Sequence, residues 1–270
     1  MKDTKIRWAE HTWNPTTGCD KISPGCDNCY AETITVKFGS TAFPNGFTPT
    51  YKPNKLGEPA RFFRKSGRAR VFVNSMSDLF HADFTDAQRD SIFDVMLDVR
   101  HDYLVLTKRP KQMAAYFNGP DGYLARRHLA QAPANMWLGT SIENDLYTFR
   151  TKHLTSIPAV VHFLSIEPML GPVPSLDLTD IEWVIVGGES GPGYRPMDHD
   201  WARDIRDRCA IEDVAFYFKQ SAAPRTEMGM ELDGLRHEEY PLEHPADRTE
   251  VTVGKFVGRH GIPVDQLSLT

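Results

Sequence analysis

Short apolar runs recur between residues 70 and 220 and alternate with stretches of mixed polarity. Six of them lie at residues 71–73, 103–106, 136–138, 161–164, 183–186 and 215–218. Near-continuous apolar runs of this length are typical of strands that are buried on both faces. Between the first two runs, Thr85 and Gln88 fit a helix capping box, and Ile92 and Met96 follow at helical spacing. The alternation therefore predicts repeated β-α-β units and a parallel sheet.

Polar residues follow each apolar run. They occupy residues 74–78, 107–109, 140–143, 165–167, 187–190 and 219–220. Parallel strands place their carboxyl ends at one rim, where folds of this kind build their active sites, so these polar ends are expected to converge. We predict an α/β protein with a partial parallel (β/α) barrel of six to seven strands and a site at that rim.

The chain is predicted to form one barrel and a short appendage. Residues 1–222 carry the repeating pattern and a cysteine loop at residues 13–32, whereas the pattern dissolves in the polar residues 223–270. Residues 39–60 contain four prolines and are predicted to form a loop. Residues 61–70 combine five cations with two phenylalanines, which indicates either a phosphate-contacting patch or a solvated approach to the next strand.

Composition narrows the class of protein. The 270 residues are 40% hydrophobic and 25% charged, as in a soluble globular protein. No run approaches the roughly 20 apolar residues that span a bilayer. Few cysteines and no secretory signal predict a cytoplasmic location without membrane contact. The net charge of −5 gives no overall positive field, so binding to nucleic acid would require a local patch.

Three of the four cysteines lie in the segment WNPTTGCDKISPGCDNCYAE. Cys19, Cys26 and Cys29 are spaced C-x6-C-x2-C, which favours a bound metal or an iron–sulfur cluster. A structural zinc site needs a fourth ligand, which His11 could supply only by folding back. Cys209 lies in a helical pattern and is expected to be a small buried apolar residue. The alternatives are therefore zinc or a [4Fe–4S] cluster whose fourth iron is open to a small ligand.

Eight segments of the sequence together resemble one protein family. They read WNPTTGC, SPGCDNCYAE, VFVNSMSDLFH, LTKRP, WLGTSIE, SIEPMLGPV, WVIVGGESGPGYRPM and FYFKQ. The family contains phage and prophage proteins of unassigned activity and is placed as a divergent branch of the radical S-adenosylmethionine (radical SAM) enzymes, distantly similar to spore photoproduct lyase. Most radical SAM enzymes have C-x3-C-x2-C with an aromatic residue before the third cysteine. Here the first gap is six residues, and Asn28 takes that place.

The resemblance implies a [4Fe–4S] cluster on the three clustered cysteines, with S-adenosylmethionine chelated to its open iron. Reduction of that cofactor would yield a 5′-deoxyadenosyl radical that abstracts hydrogen from a substrate. The implied electron donor is a flavodoxin-like or ferredoxin-like protein. The phage context and the likeness to the lyase imply a nucleobase, nucleotide or DNA as the substrate of modification or repair.

Similarity to the lyase also implies contacts to S-adenosylmethionine. Ser77, Lys108 and Ser141 match two serines and a lysine that follow successive strands, and their hydroxyls and ammonium suit ribose and carboxylate groups. The hydrogen-donating cysteine of the lyase corresponds to Ser75. Its O–H bond is too strong to donate hydrogen atoms readily, so splitting of thymine dimers by that route is not expected.

Acidic and basic residues at the strand ends complete the predicted site. Glu143 and Glu167 are expected either to contact the cofactor or to form ion pairs with Arg109 or Arg195. The glycines at residues 187–188 are expected to form a turn of close approach that directs Glu189 toward cofactor or substrate.

Glu189 and Lys219 are the candidate catalytic residues.

Two other functions stay open at this point. The protein could be a zinc-stabilised nucleic-acid-binding protein that uses residues 61–70, or a catalytically degenerate barrel that acts as a scaffold. For the scaffold, the resemblance implies a companion called the three-Cys-motif partner protein.

Overall fold

Ten strands and seven helices make up the part of the protein that the structure describes, residues 1–241 of a computed structural model. In chain order the strands are β1 (Lys2–Asp3), β2 (His11–Trp13), β3 (Thr16–Thr17), β4 (Thr50–Tyr51), β5 (Arg70–Val73), β6 (Asp102–Thr107), β7 (Met136–Ser141), β8 (His162–Ile166), β9 (Trp183–Gly187) and β10 (Ala215–Gln220). The helices are α1 (Tyr30–Ala42), α2 (Glu58–Ser66), α3 (Asp86–Asp98), α4 (Pro110–Phe117), α5 (Tyr123–Arg126), α6 (Arg150–Leu154) and α7 (His199–Ile211).

The main sheet is parallel and curls into a half-barrel. Its strand order is β1-β2-β5-β6-β7-β8-β9-β10, and all pairings from β2 to β10 are parallel, whereas β1 runs antiparallel to β2. β3 and β4 form a separate antiparallel pair. The prediction of an α/β protein with a partial parallel barrel is confirmed, with seven parallel strands.

Residues 237–239 cover the outer edge of β10. The amide of Phe218 donates to the carbonyl of His237 at 2.9 Å, and the amide of Glu239 donates to the carbonyl of Phe216 at 3.2 Å. The described part of the predicted appendage thus pairs with the last strand of the sheet and blocks further pairing there. The remainder, residues 242–270, lies outside the described residues.

Alternate residues of the parallel strands face the inside of the half-barrel, and they change from aromatic to polar toward the carboxyl end. Trp137 of β7 and Phe163 of β8 belong to an inner apolar cluster. Ser141, four residues after Trp137, and Ser165, two residues after Phe163, line a cavity. The side chains between them, such as Leu138, pack in a second cluster beneath the helices. The period of two along each strand therefore places an apolar floor under a polar rim.

The helix predicted between the first two apolar runs is present as α3. Helix α3 begins with the predicted capping box, in which the Gln88 amide donates to Thr85 Oγ1 at 3.3 Å and the Thr85 amide donates to Gln88 Oε1 at 3.0 Å. Within residues 1–241, none of the helices combines the length and the apolar character needed to cross a membrane.

Helix α2 occupies a segment for which the sequence predicts a loop followed by a charged run. Pro59 lies in its first turn, where the missing N–H of proline costs nothing. Gly67, with a φ of 79°, follows its last residue. The loop predicted at residues 39–60 is therefore too long, because α1 extends to residue 42 and α2 begins at residue 58.

The cations of residues 61–70 lie at the amino end of β5, opposite the polar rim. The Nε of Arg68 donates to Asp102 Oδ2 at 3.1 Å, and the guanidinium of Arg70 lies 4.3 Å from the ring centre of Tyr240. The exposed cations that precede them are Arg61, Arg64 and Lys65. This basic surface is thus separate from the end of the sheet where the cysteine loop lies.

Candidate functional site

One cavity of about 250 Å³ opens at the carboxyl ends of the parallel strands. Its walls come from the strands β5 to β10, or from the residues directly after them, and from the cysteine loop. The predicted site residues that line it are Cys19, Cys26, Cys29, Ser77, Lys108, Ser141, Glu167, Glu189 and Lys219. Glu143 is the one predicted site residue outside this lining. The cysteine loop and the polar strand ends therefore share one space.

The cysteine loop crosses the rim between β2 and α1. Cys26 ends a short 3-10 turn, and Cys29 is the N-cap residue of α1. The two residues and Cys19 are all partly exposed and line the cavity. Cys209 is fully buried in α7, which confirms the expectation of a small apolar core residue.

The start of the cysteine loop is fixed by close backbone contacts. Gly18 has a φ of 87°, and a Cβ at this position would lie 2.3 Å from the carbonyl oxygen of Thr48. The Gly18 amide donates to the carbonyl of Met76 at 2.9 Å. Beside it, the hydroxyls of Thr16 and Ser77 are 2.7 Å apart. Glycine is needed here because only it fits both the left-handed backbone and the close approach.

Arg109 links the first cysteine to a buried carboxylate. Its Nη1 lies 3.3 Å from the Sγ of Cys19 and donates to Asp78 Oδ2 at 3.1 Å. Asp78 also accepts from the Thr107 hydroxyl at 2.7 Å and from the Lys108 amide at 3.0 Å. Burial, with the Asp78 carboxylate, raises the pKa of the Cys19 thiol to about 11, and Arg109 only partly offsets this rise.

Glu143 is fully buried and holds the cysteine loop and the rim lysine from behind. Its Oε1 accepts from the Ser23 hydroxyl at 2.6 Å and lies 3.2 Å from the Lys108 ammonium. Its Oε2 accepts from Arg150 at 3.0 Å. A Cβ on Gly25 would lie 2.6 Å from the carboxylate, so the loop packs directly on it. The position of Glu143 indicates a supporting residue rather than one that contacts a ligand.

Glu189 lines the cavity and anchors the second half of the cysteine loop. It accepts from the Asn28 amide group at 3.0 Å and from the Arg195 Nε at 3.0 Å. Arg195 also donates to the Pro24 carbonyl at 2.9 Å. Burial alone would raise the pKa of Glu189, but the hydrogen bonds from Arg195 and Asn28 outweigh it, and the pKa lies below its ordinary value. The carboxylate is therefore ionised and fixed.

Glu143 and Glu167 both form ion pairs, but neither pairs with Arg109 or Arg195. The ammonium of Lys219 donates to Glu167, and both residues line the cavity. Glu143 pairs with the lysine and arginine described above. Arg109 and Arg195, the partners expected from the sequence, bind other carboxylates. The alternative of ion pairs with these two arginines is wrong, because Arg109 pairs with Asp78 and Arg195 pairs with Glu189.

Hydroxyl and ammonium groups complete the rim. The side chains of Ser77, Ser141 and Ser165 line the cavity together with that of Lys108. A hydroxyl can donate and accept, whereas an ammonium only donates and carries charge. The set can therefore bind an anionic group beside neutral polar groups.

The described side chains do not form a site for a single metal ion. Among residues 1–241, no three His, Cys, Asp or Glu side chains are gathered closely enough to hold one metal ion. A cubane cluster makes a different demand, because its thiolate ligands bind separate irons and so lie farther apart than the ligands of one ion. Three thiols of one loop line one cavity, with the guanidinium of Arg109 beside the first, and this donor chemistry is that of a cluster held by three cysteines.

Several residues that hold the site together give little or no signal in the sequence. The sequence does indicate Asp78 and Arg109, because they lie in the polar segments that follow β5 and β6. Ser23 and Arg150 give none, because both act through Glu143, and the serine is 120 residues away from it. Such contacts depend on how the loop folds over the rim, which local patterns do not encode.

The described site lies wholly within a segment that matches a known family. No curated protein and no solved structure matches the chain. A family profile described as "Protein of unknown function (DUF5131)" matches residues 3–241. This segment covers most of the chain, and the protein belongs to the family that the profile describes.

Proposed function

We propose that this protein is a radical SAM enzyme that binds a [4Fe–4S] cluster and S-adenosylmethionine at the carboxyl rim of its half-barrel. The observation that carries the proposal is that three thiols of one loop line the same cavity as the polar strand ends. The proposed cluster ligands are Cys19, Cys26 and Cys29. The proposed contacts to S-adenosylmethionine are Ser77, Lys108 and Ser141, with Glu167 beside them and Glu143 as their support.

The residues around the cavity have distinct tasks in this proposal. When bound, a reduced cluster supplies the electron that cleaves S-adenosylmethionine into methionine and a 5′-deoxyadenosyl radical. Arg109 places a positive charge beside Cys19 and so favours the thiolate that binds iron. Lys108 offers its ammonium to a carboxylate, and its own position is set by Glu143. The cysteine loop forms a wall of the cavity and so limits access of water to it.

Glu189 and Lys219 are proposed to face the substrate. Glu189 is ionised and held by Arg195, so it can accept a hydrogen bond without moving. Lys219 has a partner in Glu167, which keeps its ammonium directed into the cavity. The proposed substrate is a nucleobase, nucleotide or DNA, and the proposed electron donor is a flavodoxin-like or ferredoxin-like protein. We further propose a cytoplasmic location and the three-Cys-motif partner protein as a companion.

Anaerobic reconstitution with iron and sulfide tests the proposal. We expect a brown protein with about four irons per chain. Reduction in the presence of S-adenosylmethionine should then yield 5′-deoxyadenosine, measured by liquid chromatography. A colourless protein that tightly binds one zinc ion would overturn the proposal in favour of a zinc-stabilised binding protein.

Two cysteine variants make the test specific. Cys26→Ala should lose both the iron and the formation of 5′-deoxyadenosine. Cys209→Ala is the matched control, because this cysteine is buried in α7 and does not line the cavity, and it should retain both. Unchanged iron content in Cys26→Ala would overturn the ligand assignment. A wild-type protein with a full cluster that never cleaves S-adenosylmethionine would instead be a scaffold.

A further inference from the structure

The exposed face of helix α2 carries cations without partners, on a surface that the proposed function does not use. Arg61, Arg64 and Lys65 are exposed, and none of their side chains is hydrogen-bonded or ion-paired among the described residues. Elsewhere on the surface, by contrast, Arg203 of α7 binds Asp233 at 2.7 Å. No residue of α2 lines the cavity, so these charges do not serve the site at the carboxyl rim.

The spacing of these cations concentrates their charge on one side of the helix. Arg64 and Lys65 follow Arg61 by three and four residues, and residues at this spacing are neighbours on a helix surface. Like charges so placed repel each other, and the one acid of the helix, Glu58, is already paired with Lys55 at 2.6 Å. The helix dipole favours the two cations in the last turn, but not Arg61. The result is a positive surface that no described acid neutralises.

The other side of α2 packs against the sheet and fixes the helix. Pro59 is buried, and its carbonyl oxygen lies 3.1 Å from Nε2 of His101, the residue before β6. The ring centres of Phe63 and His101 are 5.2 Å apart, and those of Phe62 and His11 are 4.2 Å apart. The backbone that carries the cations is therefore held in place before any partner binds, which lowers the entropy cost of binding.

We propose that the α2 surface, formed by Arg61, Arg64 and Lys65, binds the phosphate backbone of a nucleic acid. Guanidinium and ammonium groups are the usual donors to backbone phosphates. A protein partner would need an apolar centre, and the only large apolar side chain exposed on α2 is Phe63, at 38%. Arg100, just before β6, is a further exposed cation at this end of the sheet. The inference goes beyond the proposed function, because this surface lies away from the cavity.

The test is fluorescence anisotropy with the full-length protein and two labelled probes, a DNA duplex and a single strand of equal length. The triple variant Arg61→Gln, Arg64→Gln, Lys65→Gln should bind the better probe at least about tenfold more weakly at low salt. The slope of log affinity against log salt concentration should become shallower by about 2–3, close to one for each phosphate contact that is lost. Because phosphates carry no sequence information, probes of different base sequence should bind equally.

The matched control removes the same charge at exposed positions away from α2, as Lys111→Gln, Lys152→Gln, Arg225→Gln, and should bind as the wild type does. The thermal midpoint, the iron content and the formation of 5′-deoxyadenosine should be unchanged in the α2 variant, so the inference and the proposed function can fail separately. Undiminished binding by the α2 variant, or an equal loss in the control, would overturn the inference. Failure of the wild type to bind either probe would overturn it in favour of an acidic protein partner.

Discussion

The hydroxyl of Ser23 donates to the buried carboxylate of Glu143 at 2.6 Å and so ties the cysteine loop to the end of β7. The same carboxylate holds the ammonium of Lys108 at 3.2 Å and the guanidinium of Arg150 at 3.0 Å. One buried anion thus sets the position of the loop and of a rim cation. Breaking such a buried pair is costly, because it leaves charge in the interior without a partner.

We expect Glu143→Gln to lower the free energy of unfolding by about 3–5 kcal/mol, since Lys108 and Arg150 then lack their anion. Ser23→Ala should cost about 1.5–3 kcal/mol, the range for a hydrogen bond to a charged group. Urea unfolding at pH 7 measures both values. The exposed Ser66→Ala is the control, with a change within about 0.5 kcal/mol. Wild-type stability of Glu143→Gln would show that Glu143 does not support the loop.

The pKa of Cys19 predicts that its thiol is alkylated slowly in the metal-free protein. Burial raises this pKa to about 11 from the usual 9.0. At pH 8 the folded chain should then hold about a hundredfold less Cys19 thiolate than the unfolded chain. Alkylation by iodoacetamide, resolved by mass spectrometry, should still accelerate above pH 9 in the folded protein but level off near pH 9 in urea. Equal pH profiles in the two states would contradict the effect of burial.

Glu189 predicts an acid-sensitive contribution to stability. Its pKa is lowered in the folded state, so its ionised form stabilises the fold above the ordinary pKa of about 4.3, and this contribution is lost as the pH falls through the lowered value. Glu189→Gln should therefore be less stable than the wild type by about 1–3 kcal/mol at pH 7. The difference should shrink below about pH 4. A difference that stays constant from pH 7 to pH 3 would show that the charge of Glu189 is not what holds Arg195.

The parallel sheet could be predicted from the sequence because its signals are local. Buried strands such as Met136–Ser141 are apolar along their length and become polar where they leave the core, and both features are visible in the letters alone. The burial of Cys209 follows from its place on the apolar face of a helical pattern. These predictions need no knowledge of which distant residues meet.

The roles of the acids at the rim could not be predicted in the same way. Glu143 follows β7 as Glu167 follows β8, yet the first is buried behind the cavity and the second lines it. The difference arises because Arg150 and Ser23 surround Glu143, and both contacts depend on tertiary folding. Asn74 is a similar case, since the lack of a hydrogen-bond partner for its amide among residues 1–241 can be recognised only once the surrounding atoms are placed.

Gly188 is the position where a single methyl group should do the most damage. A Cβ there would lie 2.1 Å from the backbone nitrogen of Ala222, and the Gly188 amide is itself bonded to the carbonyl of Gln220 at 2.9 Å. Neither backbone segment can move without breaking the end of β10. We expect Gly188→Ala to lower the free energy of unfolding by about 3 kcal/mol, the upper end for overpacked sites.

The matched control for Gly188→Ala is Gly57→Ala, at a glycine with open space around its Cβ position and an ordinary φ of −78°. Its stability should stay within about 1 kcal/mol of the wild type. Urea unfolding of the two variants side by side gives the comparison. Glu189, which anchors the cysteine loop, is the residue after Gly188, so Gly188→Ala should also loosen this loop. Trypsin should then cleave the variant near Lys21 faster than it cleaves the wild type. Equal stability of the two variants would mean that the turn after β9 does not pack against Ala222 as closely as described.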